Sequence, residues 1–151
     1  MKFMLRKYLS KSDLELIGRK IAEAEQGTVG EIRISVRHKR FWKERKLTVH
    51  QIALAEFDRL KMWNTEHRTG VLIMLLISER KFQIIGDEGI HARVADGTWD
   101  RLATSMTDHF HEGRYAQGLI EAVGEVGAEL KQHFPSSGSA HNELPDTVVE
   151  R

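Results

Sequence analysis

At 151 residues, with 40% hydrophobic and 30% charged residues, the chain has the composition of one ordinary globular domain. Lys and Arg number 23 against 22 Asp and Glu, so net charge points to no particular partner. The absence of cysteine excludes disulfides, thiolate metal sites, iron–sulfur clusters and every mechanism with a cysteine nucleophile.

Met1 to Lys11 carries Lys and Arg but no apolar run of signal-peptide length, and residues 1–11 read as an N-terminal extension. Ser12 and Glu15 have capping-box spacing, and Leu14, Ile17, Ile21 and Ala24 recur at helical period up to Gly27 and Gly30. Glu31–Arg37 alternates strictly, which puts Ile32, Ile34 and Val36 on one face of a strand. A second helix follows, with Val49, Ile52, Ala53, Phe57 and Leu60 inward.

Val71–Ile77 is seven consecutive apolar residues, the signature of a strand covered on both faces and far too short to span a membrane. Lys81–Ile85 pairs with it as an antiparallel hairpin across the connector 78–80. Residues 90–95 have room for one helical turn. A third helix then starts from Asp96 or Thr98, its stripe formed by Trp99, Leu102, Ala103, Met106 and Phe110. Gly113 ends it. A fourth runs from Tyr115 to Phe134, where Gly118, Gly124 and Gly127 permit close packing. Residues 135–151 lack periodicity and read as a disordered tail, leaving 12–134 as the domain. The order αβαββαα gives a three-layer α/β/α sandwich, with a small mixed central sheet and helices on both faces. A monomer in the cytoplasm is the simplest expectation, with a protein partner left open.

Famous catalytic signatures are missing: there is no P-loop, no dinucleotide fingerprint, no zincin helix and no Gly-x-Ser-x-Gly elbow. The eight histidines are scattered and read as surface residues. Residues 37–46 concentrate six cations, Arg37, Lys39, Arg40, Lys43, Arg45 and Lys46, around Phe41, Trp42 and a single acid, Glu44. That local net of +5 leaves −4 for the remainder. It reads either as a grip on anionic lipid or nucleic acid, or as a solvated loop with its aromatics tucked in. No recognised nucleic-acid module accompanies it, so nucleic acid is the less expected partner.

If the first strand lies parallel to the central one, Glu31, the lead-in residues Asn64, His67 and Arg68, and Asp87 and Glu88 gather at one sheet edge, with Asp96 and Asp100 near enough to join. Carboxylates in such loops suit a hard divalent cation; equally, Asp87 suits a turn and Asp96 a helix cap.

Four segments, Gly30–Ile34, Thr69–Ile73, Arg80–Ile90 and Phe110–Leu119, together resemble the TPM domain over about residues 10–134. The resemblance implies an α/β/α sandwich, and relatives are described as calcium or divalent-cation binders, as phosphatases on phosphomonoesters, or as accessory proteins. It carries over Glu31 as the acidic position opening strand one. Gly86-Asp87-Glu88-Gly89 stands where many relatives have Gly-Tyr-Gly-hydrophobic-Glu, and Gly113, Tyr115, Gly118 and Leu119 fall on packing positions. The expected function is therefore a divalent-cation accessory module, calcium favoured, with Glu31, Asp87, Glu88, Asp96 and Asp100 as ligands. A metal-assisted phosphatase using His67 or His91 is the alternative.

Overall fold

The computed structural model describes residues 5–136 and 144–151; His141, with the rest of 137–143, and residues 1–4 lie outside the described residues. Strand β1 (Glu31–Arg37) has the bounds that its alternation sets, and it runs parallel to β2 (Gly70–Leu76) with Glu31 opposite Gly70. Parallel neighbours require a crossover, and helix α1 (Lys11–Glu25) precedes β1 while α2 (Val49–Arg59) supplies that crossover. Strand β3 (Lys81–Gly86) returns antiparallel to β2, with Val71 opposite Gly86. A short α3 (Glu88–His91), then α4 (Thr98–His111) and α5 (Tyr115–His133), complete the helices, and β4 (Val149–Glu150) closes the sheet in the order β3-β2-β1-β4.

Every residue of β2 is buried. Val71, Ile73 and Leu75 join Ile32, Ile34 and Val36 in a core under α1, α4 and α5. On the opposite face Leu72 and Met74 pack with Ile52, Ala53 and Phe57 of α2. Helices thus cover both faces, as a central strand without a polar side demands. Each such aliphatic side chain contributes about 1.5–3 kcal/mol on burial. At Gly70 a Cβ would lie 2.5 Å from the Met62 carbonyl oxygen, so only glycine lets the chain enter β2 there. Gly118 and Gly127 do permit close contact, with Phe110 and Ala24, whereas Gly124 faces open space.

Three boundaries differ from expectation. Helix α1 is capped by Ser10 with Asp13, not by Ser12 with Glu15: Ser10 Oγ accepts from Asp13 N at 3.0 Å, and Asp13 Oδ2 from Ser10 N at 2.9 Å. The earlier start puts Leu9 before the cap and Leu14 at the fourth helical position, both on the main core, so a hydrophobic staple decides between two equal spacings. Residues 5–11 consequently pack on the domain rather than extend from it, since Leu5 and Leu9 are fully buried.

Helix α4 begins after Gly97, which takes φ +83° at the cap position, so neither Asp96 nor Thr98 caps it. Finally, residues 144–151 are ordered rather than a disordered tail. Leu144 is buried against the α2 side, and Val149–Glu150 hydrogen-bond to β1, with Ser35 opposite Val149. The outer edge of β1 would otherwise present unpaired backbone groups, and two extended residues suffice to cover part of it.

Candidate functional site: a cleft along strand β3

The sheet does bring Glu31, Arg68 and Asp87 to one edge: Glu31 N donates to Thr69 O, and Asp87 N donates to Gly70 O. The side chains nevertheless sort into three places. Glu31 is 1% exposed and hydrogen-bonds the carboxyl of Glu25, which also bonds Asp146 of the C-terminal segment and accepts from Ile32 N at 2.8 Å. Burial, reinforced by these neighbouring carboxyl groups, lifts Glu25 well above the usual carboxylate range. A neutral, proton-donating Glu25 is what such a cluster requires.

Asp87 and Glu88 belong to Arg68. Its guanidinium donates to both Asp87 oxygens, at 2.8 and 3.0 Å, and lies 3.2 Å from Glu88. Asp87 also accepts from Glu88 N at 2.8 Å and caps α3, the turn-and-cap role rather than a free ligand.

Asp96 and Asp100 face a third environment. They rim a cleft of about 300 Å³ whose wall is Gln83–Gly86 of β3, the outer strand of the sheet on that side. His50 comes from α2 and His91 from α3, and the buried Trp99 lies between the two aspartates in sequence. The left-handed Gly97 turns the chain so that Asp96, before the helix, and Asp100, in its first turn, both reach the cleft. Among the described residues no group of three or more His, Asp or Glu side chains forms a ready-made metal cage. His67 lines a separate groove beside Gly89, 3.9 Å from Glu66.

The basic stretch divides as well. Arg37, 1% exposed, points into the sheet–α2 interface, where it donates to Glu44 at 2.6 Å and Glu56 at 3.2 Å. Arg40 donates to Glu79 at 2.7 and 2.9 Å and to the carbonyls of Glu44 and Leu47. Neither is therefore offered to an external anion, because each is committed to internal acceptors. Lys39, Lys43, Arg45 and Lys46 remain exposed.

Glu56 is the residue that motif reading missed. It accepts from Ser35 at 2.6 Å, Arg59 at 2.9 Å and Arg151 at 2.8 Å, besides Arg37. Burial alone would raise its carboxyl, but the hydrogen bonds from Arg59 and Ser35 and the charge of Arg37 prevail and hold it at about 2. A signal was present. Arg33, Ser35 and Arg37 form the polar face of β1, and a strand inside a covered sheet must pair such a face with acids from the covering helix. A further helix–helix contact, His109 Nε2 to Glu121 at 2.6 Å, takes one histidine off the open surface.

Among the described residues, no helix is long and apolar enough to cross a membrane. The family model for the TPM domain matches residues 5–129. No curated protein matches. Of solved structures, the BA42 protein from the psychrophilic bacterium Bizionia argentinensis is similar at TM-score 0.84 and 32% identity, covering 95% of this chain and 96% of that one. The N-terminal domain of a P. gingivalis protein is similar at TM-score 0.70 and 20% identity, over 90% and 83% of the two chains. That of the cg2496 protein from Corynebacterium glutamicum gives 0.59 and 17%, over 89% and 82%; these two likenesses concern the fold alone. With most of its length matched and its sheet, helices and core in place, the chain belongs to the TPM domain family.

Proposed function

We propose that this TPM domain is a divalent-cation-binding accessory or regulatory module, calcium favoured, with Asp96 and Asp100 as its cation ligands. The observation that carries the reading is the contrast among the acids. Glu31 is engaged by Glu25, and Asp87 and Glu88 by Arg68, whereas among the described residues no cation pairs with Asp96 or Asp100 on the cleft rim. Two carboxylates suit a hard cation that completes its shell with backbone carbonyls and water. The test is amide NMR of the whole protein titrated with calcium and then magnesium. Shifts concentrated at residues 95–100, and lost in Asp96→Asn/Asp100→Asn, are expected. No shifts, or shifts that survive the double substitution, overturn the assignment.

One observation favours a metal-assisted phosphatase as the second reading: His91 and His50 line the cleft that Asp96 and Asp100 rim, so a proton-transfer group would sit beside the ion. Metal-stimulated hydrolysis of p-nitrophenyl phosphate, lost in His91→Ala while the calcium shifts persist, is its minimum requirement. Without turnover the binding module stands alone.

A further inference from the structure

The geometry points to the loop between β1 and α2 as a contact surface for bilayers that carry anionic phospholipid headgroups. Residues 37–46 contain one acid, and the fold removes it from the surface: Glu44 is 6% exposed and bound to Arg37. Arg37 and Arg40 are turned to carboxylates of the fold, whereas Arg45 stays at the surface and donates to the Trp42 carbonyl at 3.3 Å. What remains toward solvent is Lys39, Lys43, Arg45 and Lys46, with no acid from the loop among them.

Trp42 stands in their midst and is 78% exposed, well above Leu54 at 45%, Trp63 at 40% or Leu16 at 36%. Leaving an indole in water forfeits the burial that makes tryptophan useful in a core. The Arg45 guanidinium lies 4.0 Å from the Trp42 ring centroid, so the ring and one cation form a single unit. An indole has an apolar body and an N–H edge, the combination that settles at headgroup level.

The loop is also held in shape before any partner arrives. Arg40 staples it to Glu79 and to its own carbonyls, and Ser78 N donates to His38 O at 2.8 Å. Little ordering cost is then left for the binding step. A nucleic-acid strand is the poorer match. Phe41, the second aromatic, is half-buried, with the guanidinium groups of Arg37 and Arg151 4.4 and 4.7 Å from its ring centroid, so the loop offers one open stacking ring, not a row. One tryptophan and four cations give reversible, salt-sensitive attachment, each basic residue near an anionic surface strengthening it about fivefold.

The experiment is co-sedimentation of the full chain with sucrose-loaded vesicles, of phosphatidylcholine alone or mixed with phosphatidylserine, at low and raised salt. Binding only to the mixed vesicles, falling with salt, is expected. Trp42→Ala and Lys43→Glu/Lys46→Glu should each weaken it about tenfold or more. Both alter exposed positions, so folding is preserved and checked by NMR. Lys131→Glu, a charge reversal on α5, should bind as the parent does. No sedimentation, equal sedimentation with both vesicles, indifference to the loop substitutions, or displacement by single-stranded DNA at equal charge concentration each overturn the proposal.

Discussion

Arg37 donates to Glu44 at 2.6 Å, and this one bond turns both the first cation and the only acid of a ten-residue basic stretch inward. The pair leans on Glu56, where Arg59 and Arg151 also converge. An arrangement of this kind is costly to break from one side, because each remaining charge is left without water.

Glu56→Gln should therefore destabilise the protein by about 3 kcal/mol at neutral pH, leaving Arg37 short of an acceptor in a closed interface. Urea unfolding at pH 7 measures this. A loss below about 1 kcal/mol would show that the network is solvent-relaxed, as an exposed pair is.

The same carboxylate sets an acid limb. Its pKa falls from an ordinary 4.5 to about 2 on folding, so its contribution is complete above about pH 4.5 and disappears as pH drops toward 2. Melting temperature followed from pH 5 to pH 2 should fall in the parent and fall less steeply in Glu56→Gln.

Glu25 works in the opposite direction. Its carboxyl is raised on folding, so the folded protein holds a proton that the unfolded chain releases above about pH 4.5; stability from this group declines as pH rises. Glutamine imitates the protonated acid, accepting from Ile32 N and donating to a neighbouring carboxyl. Glu25→Gln should raise the melting temperature at pH 8 and leave it unchanged at pH 4. An equal effect at both values would rule the titration out.

Leu9→Ala should cost about 3 kcal/mol, since Leu9 is 1% exposed in the main core although it precedes the first complete helix. Chemical denaturation gives the number directly. Gly70→Ala should cost a comparable amount, by driving a methyl into the Met62 carbonyl.

Regular, strongly periodic segments were legible in the amino-acid order. The bounds of β1 follow from alternation, the double-sided burial of β2 from its unbroken apolar run, and the inner face of α5 from Leu119, Val123, Val126 and Leu130. Choices among equivalent local signals were not. Ser10 and Ser12 offer the same cap, and only the burial of Leu9 separates them. A two-residue strand such as β4 has no period to detect. At the candidate site, the placing of Glu31 and Asp87 at one sheet edge was legible, but the division of the acids among Glu25, Arg68 and the β3 cleft was not. That division depends on which side chain each acid meets across the fold, and such partners lie far away in the chain: Asp146 meets Glu25, and Arg151 meets Glu56.

The β4 pairing has a consequence for synthesis. Ser35 opposes Val149, and Arg6 bonds Glu150 at 2.8 Å, so the outer flank of β1 is covered by residues translated more than a hundred codons later. Throughout elongation the nascent sheet keeps an open strand, and Glu56 lacks its bond from Arg151. The interval before residue 150 leaves the ribosome is thus when this protein is most exposed to edge-to-edge association, and when a holding chaperone would have the clearest target.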